Sequence, residues 1–439
     1  MLGLRSVTCS RARFKQSVIF TLCADALSHF SIGVLMRALL IITLVVAVVD
    51  ALGPEEGHAA RIFSNGRATL QLANALDPEA AGTVVPIRTR SQPWKRIVFA
   101  SHVELPEYIG GPQSTAFPLV AHVSNATADG ESCAADVPVP LAEWADVAAQ
   151  VLSTKLVDHG AVLLRGLPIA NSADYNEFIG ALEPRVGWTA VKLGGGGTQR
   201  KDLQAKVRTA SEEPAEHTIE PHMDMAHSVA HPKRIAFFCA AGPPKGVGGE
   251  TVLSDMRRVY ATLAQLGIPE QFAAHGGVAY RKRLWSAEKV SHSYTWQQFF
   301  FTQERESAVD EVRRRDPKAR VDEATGRIDF EEHLPAVWEH PTTGEPLWFN
   351  GVHTNHKSYY EEAEHVDTSD GSPMHTAYAD GAEIPETTIA TVRAAVWNHS
   401  VAVRCQTGDV IVVDNMLAAH GRMGWISGNQ RQVLLTHFQ

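Results

Sequence analysis

The chain has 439 residues, 44% hydrophobic and 20% charged, a balance that excludes intrinsic disorder because it supplies enough apolar surface for a core. Forty basic and 49 acidic residues give a net charge of −9 without any basic block, which argues against a nucleic-acid partner. Five cysteines are too few for a disulfide framework, whereas twenty histidines are a first hint of chemistry.

Residues 1–24 carry Arg5, Arg11, Arg13 and Lys15 and no acid, a presequence-like composition. Met36-Arg37 then leads into an apolar run over 38–49. As a helix that run rises about 18 Å, short of a ~30 Å hydrocarbon core. It therefore predicts a signal-peptide core, with small residues at a cleavage site near residue 52, and no stable membrane span in the mature chain. Residues 1–53 are expected to be a targeting segment for the secretory pathway or an organelle, with Met36 a candidate true start; without cleavage the chain stays cytoplasmic. Removing 1–53 takes away five basic and two acidic residues and shifts the charge to −12. Cys133, Cys239 and Cys405 remain, and Asn125 and Asn398 stand in glycosylation acceptor patterns. Residues 54–83 read as a linker and 84–439 as a single catalytic domain.

Within that domain, apolar spacing over 141–157 predicts a helix. GAVLLRG at 160–166 is a buried strand bounded by glycines, and 194–197 is a glycine turn. Ser172 precedes a short helix over 174–182 as its N-cap. A second buried strand covers 235–240, and 255–266 is an amphipathic helix with Asp255 near its start. Residues 303–335 are densely charged, which fits a solvated insertion or, more sharply, a substrate lid. A helix over 387–397 and strands over 409–414 and 432–438 complete the chain. Many short strands with a few helices predict a β-barrel or sandwich core with helical insertions.

Chemistry enters at His222-Met-Asp224. In a strand, residues i and i+2 share a face, so the imidazole and the carboxylate can grip one ion. Two His and one carboxylate with open positions opposite suit non-haem Fe(II). A chain with 20 His and 49 acids yields about two such His-x-acid pairs by chance. Three occur: His222/Asp224, His102/Glu104 and His365/Asp367. Only the first is followed by an apolar strand and then Gly248-Gly249-Glu250-Thr251. Near the end come Asp414-Asn415, His420-Gly421-Arg422 and Arg431.

In this order the segments GAVLLRG, PHMDMAH, the FFC strand, GGET followed by DMRRVY, EPLWFN and DN…HGR…R resemble the Fe(II)- and 2-oxoglutarate-dependent dioxygenases of the taurine-dioxygenase and clavaminate-synthase-like type. The resemblance runs from about residue 140 to the C-terminus. It implies a mainly β fold with helical insertions around a double-stranded β-helix, or jelly-roll, core. It also implies Fe(II) held by His222, Asp224 and His420, with 2-oxoglutarate and O2 as cosubstrates. Arg431 would pair with the distal carboxylate of 2-oxoglutarate, and Thr251 would donate a hydrogen bond to it. A carboxylate buried without a partner is costly, and a planar guanidinium binds both its oxygens better than lysine can. The presence of Asp224 disfavours halogenation, so hydroxylation of a C–H bond in a small-molecule substrate is the expected outcome. One departure stands out: many relatives carry a second arginine where this chain has Leu435, and Arg422 is the candidate to supply that contact. No taurine-binding set is recognisable, so a sulfonate substrate is not supported. The oligomeric state is left open.

A non-catalytic jelly-roll binding protein is opposed by retention of all five matched residues. A zinc hydrolase using His222, His227 and His231 lacks the HExxH pattern. Of the remaining candidates, His217, His353 and His356 read as residues behind or outside the pocket, and Trp296, Trp348 and Phe349 as core or pocket wall. Asn350 reads as a possible substrate contact and Cys239 as a core thiol.

Overall fold

Two sheets pack against each other and hold the site between them. The computed structural model describes residues 117–124 and 140–439, apart from breaks at 194–199, 212, 291–293, 362–365, 367, 370 and 427, and the backbone of the strands Val84–Pro86 and Arg96–Phe99. The targeting segment, most of the linker, Cys133, Asn125 and the pairs His102/Glu104 and His365/Asp367 lie outside the described residues. No helix among the described residues is long and apolar enough to cross a membrane.

The larger sheet is built around Ala161–Arg165, Val410–Asp414, Arg234–Ala241 and Gln432–Phe438, in that spatial order. These are the apolar runs AVLLR, VIVVD, RIAFFCAA and QVLLTHF, and both of their faces are covered. Val162, Leu164, Ala236, Phe238, Val410, Val412 and Leu434 point to the helices Leu141–His159 and Ser172–Val186. Their neighbours of opposite parity, Leu163, Ile235, Phe237, Ile411, Val413 and Leu435, point the other way. There they meet Leu253, Val403 and Ala418 of the second sheet. Such alternation between two buried faces follows from the two-residue period of a strand.

The second sheet is antiparallel, in the order Ser400–Val403, Thr251–Asp255, Ala418–Arg422, Ile219–His222. From Ile219–His222 onward, successive strands alternate between the two sheets on either side of the long connection 256–399. Gly421 has a steric role here: a Cβ would lie 2.6 Å from the Ile219 carbonyl oxygen, so only glycine lets the two strands approach.

Asp255 caps the helix Met256–Gln265 by accepting from the amides of Arg257 and Arg258, and Asn171 rather than Ser172 caps the helix that begins at 172. The connection also carries a sheet in which Val278–Leu284 runs between Ile328–Leu334 and Met374–Tyr378. The charged stretch 303–335 therefore supplies a strand, and it supplies the helix Arg305–Arg315 as well. Ala308, Val312, Ile328 and Phe330 pack with Leu284, Trp296 and Phe299 into a small core of their own. Its charges pair on the outer side, as in Arg305 with Glu323 and Arg315 with Glu311.

Candidate metal centre

Three ligand atoms converge where the strand Ile219–His222 meets Ala418–Arg422. His222 and His420 are direct partners across this ladder, and Asp224 lies two residues beyond the strand end. His222 Nε2 lies 3.3 Å and His420 Nε2 3.5 Å from Asp224 Oδ1. This is the one group of three metal-ligating side chains found among the described residues. His222 Nδ1 is 2.9 Å from the Glu220 carbonyl oxygen, which can only accept. The proton therefore sits on Nδ1, and Nε2 presents a lone pair. Imidazole and carboxylate lone pairs facing one another call for a cation, and two nitrogens with one oxygen suit Fe(II).

The other carboxylate oxygen is held from behind. Asp224 Oδ2 accepts from His437 Nε2 at 2.7 Å and from Arg200 Nη2 at 3.0 Å. Burial pushes this carboxyl up, but the Arg200 charge and the surrounding imidazoles outweigh it and hold the group well below the usual carboxylate range. Burial pushes His420 down to about 4, which keeps it neutral. Asn415 fixes the backbone: its Oδ1 accepts from the Asp224 amide at 2.9 Å, and its Nδ2 donates to the Asp224 and Pro232 carbonyls. Met225, next in the chain, is left-handed at φ 58°, the kind of strained backbone that persists where its surroundings over-determine it.

Arg431 is half-buried against Gly249 and Trp425. Its Nε donates to the Gly249 carbonyl at 2.6 Å, and Gly249, at φ +82°, leaves no room for a Cβ, which would sit 2.9 Å from Arg431 Cδ. Among the described residues its terminal nitrogens make no other hydrogen bond and no carboxylate pairs with it. Arg422 is differently placed. It donates to the carbonyls of Glu213, Pro214 and His217 and stacks on Trp425 at 4.6 Å, fastening the segment that enters the strand Ile219–His222. Thr251, opposite Arg422 in the ladder, is buried with its Oγ1 3.4 Å from Cys405 Sγ. Cys239 and Cys405 are buried free thiols.

A cavity of about 500 Å³ opens on the His222 and Asp224 side. Arg200, Arg208, Tyr294, Tyr359 and Tyr360 line it, and of the charged stretch 303–335 only Gln303 does. His217, His353, His356 and Asn350 do not line it. His353 instead donates to the Pro221 carbonyl at 3.0 Å, and Asn350 is engaged by Ala336 and Val352. His227 lines the cavity, while His231 packs on Phe349 at 4.6 Å and joins no metal-ligating group. Trp296, Trp348 and Phe349 are core. Sequence reasoning missed Arg200, His437 and Arg208. Of these only His437 left a signal, its parity with the inward-facing Val433 and Leu435.

Residues 122–437 match the taurine catabolism dioxygenase TauD, TfdA family, and the chain belongs to that family. It is 28% identical over 275 residues to the dapdiamide synthesis protein DdaC of Enterobacter agglomerans, covering 61% of this chain and 79% of that one. It is 25% identical to a clavaminate synthase-like protein of Arabidopsis thaliana, over 62% of this chain and 79% of that one. Among solved structures it is similar to PvcB of Pseudomonas aeruginosa, with a TM-score of 0.41 and 16% identity over 81% of this chain and 94% of that one. The chain is a 2-oxoglutarate-dependent dioxygenase, an oxidoreductase that uses Fe(II), 2-oxoglutarate and O2.

Proposed function

We propose that the two packed sheets form a jelly-roll core and that the enzyme hydroxylates a C–H bond of a small molecule held in the cavity. In the overall balance, substrate, 2-oxoglutarate and O2 give hydroxylated substrate, succinate and CO2. The observation that carries this reading is the convergence of His222 Nε2, Asp224 Oδ1 and His420 Nε2, all within 4.8 Å of one another. Bound Fe(II) would supply O2 activation; the protein supplies ligand geometry, cosubstrate orientation and exclusion of water. His222, Asp224 and His420 hold the metal. His437 and Arg200 keep the Asp224 carboxylate ionised and oriented, and Asn415 keeps its backbone in place. The Arg431 guanidinium, half-buried and without a carboxylate, receives the far carboxylate of 2-oxoglutarate, with Thr251 as a second donor. Arg422 supports this site by holding the segment 213–217.

Anaerobic addition of Fe(II) and 2-oxoglutarate is expected to give a weak visible charge-transfer band, and Asp224→Ala to abolish it. A folded protein with no band, and no 2-oxoglutarate turnover in air, overturns the reading.

A further inference from the structure

The cavity contains a buried guanidinium that the reading above leaves unused. Arg208 lies on the short strand Arg208–Thr209, directly opposite Leu435 of Gln432–Phe438. Opposed residues of an antiparallel pair project from one face, and Leu435 belongs to the core between the sheets. Arg208 is therefore carried inward, where it is 8% exposed and lines the cavity with His222 and Asp224.

Its charge is answered on one side alone, by an ion pair between Nε and Asp202. The nearest carboxylate, Asp202, has Oδ1 3.2 Å from Arg208 Nε, yet Nε has no hydrogen-bond partner. The Asp202 side chain is 55% exposed and is shared with Lys192 at 2.8 Å. Among the described residues the terminal nitrogens of Arg208 hydrogen-bond to nothing. Arg200 stands nearby with the same charge, and burial followed by that repulsion lowers the Arg208 pKa. The Phe301 ring lies 5.7 Å from the guanidinium carbon and limits how it can turn. The two terminal nitrogens of this cation call for an acceptor that no described residue provides. A carboxylate offers two coplanar oxygens matched to the guanidinium fork. Much of the remaining lining is apolar or aromatic, with Met223, Met225 and Met374 beside the three tyrosines.

Resting on the oxygenase reading, we propose that Arg208 is the substrate anchor, and that the molecule oxidised here bears a carboxylate with a carbon chain lying over the methionines and tyrosines.

The test uses the full chain with Fe(II) under anaerobic conditions and saturating 2-oxoglutarate, so that the Arg431 position is filled. Binding of straight-chain carboxylates from butanoate to octanoate, and of their primary amides, is measured by calorimetry. At least one acid is expected to bind about 10- to 100-fold more tightly than its amide. Arg208→Gln should erase that ratio, and Arg208→Lys, which keeps the charge but loses the fork, should retain part of it. If Arg208→Gln does not fold, the wild-type ratio and Arg208→Lys decide. Equal binding of acid and amide, no binding by any acid, or an acid preference that survives in Arg208→Gln overturns the proposal. So does a defect of Arg208→Gln confined to 2-oxoglutarate affinity. Absence of the charge-transfer band in wild type instead defeats the oxygenase reading itself.

Discussion

Asp224 is the residue on which the site turns, because its two oxygens do different work. Oδ1 faces the two imidazoles, whereas Oδ2 is held by His437 and Arg200. Groups that orient a ligand from behind commonly contribute about 10- to 100-fold in metal affinity. His437→Phe, which keeps the packing but removes the donor, is therefore expected to weaken Fe(II) binding by about that factor, as read by anaerobic titration. An unchanged affinity would leave His437 a packing residue only. The three side chains of the candidate metal centre were legible because His222-x-Asp224 sits in an ordered series of motifs. Arg200 was not legible: it joins Asp224 through a segment outside any motif, so no periodicity could place it. Arg208 was equally hidden, since its meaning comes from register against Leu435, which only the folded ladder reveals.

Elements carried by unbroken apolar runs were easily read, since both faces of the larger sheet are buried and the runs need little else to declare them. The helix predicted over 141–157 spans Leu141–His159, and the strand predicted over 235–240 spans Arg234–Ala241. The strands Val278–Leu284 and Ile328–Leu334 escaped notice because their polar residues pair with each other across the sheet. Lys282 is fully buried against Glu332, with Phe299 and Phe330 rings 5.4 and 5.2 Å from its nitrogen. It also donates to the His227 carbonyl at 3.3 Å and so ties this sheet to the cavity wall. Glu332→Ala leaves that charge without its carboxylate and is expected to cost about 3 kcal/mol in urea unfolding. Lys282→Met together with Glu332→Ala should recover most of the loss. A second prediction concerns His399, the C-cap of Glu386–Asn398, whose Nε2 is 2.8 Å from Thr262 Oγ1. Burial, and then Arg258, push its pKa from 6.5 down to about 4. Protons therefore favour the unfolded chain. Its stabilisation is complete above about pH 6.5 and is lost as pH falls towards about 4. His399→Gln, which keeps an acceptor for Thr262, should give a melting temperature that falls less steeply across that window than wild type.

At the scale of the whole molecule, the site exists only when distant strands of the second sheet are side by side. His222 and Asp224 come from one edge of that sheet, His420 from the neighbouring strand, and Arg431 from the approach to the last strand of the larger sheet. The sequence order of motifs revealed the set because each motif has its own local signature. Beyond DMRRVY and EPLWFN the long connection 256–399, which supplies much of the cavity wall, has no such signature, and its tyrosines were unremarkable until the fold brought them together. A ligand that bridges remote segments binds the folded chain and not the unfolded one, so it should stabilise the protein as a whole. At a hundred times its Kd, such a ligand contributes about 2.7 kcal/mol. Fe(II) under anaerobic conditions is therefore expected to raise the melting temperature by several degrees in wild type and not in Asp224→Ala. 2-Oxoglutarate should add a further increment only when metal is present. That second increment depends on Arg431, whose terminal nitrogens have no partner among the described residues. Arg431→Gln should therefore keep the metal shift and lose most of the 2-oxoglutarate shift. If the 2-oxoglutarate shift survives intact in Arg431→Gln, the far carboxylate is held elsewhere. If the metal shift also disappears, Arg431 instead supports the packing around Gly249 on which the metal centre rests.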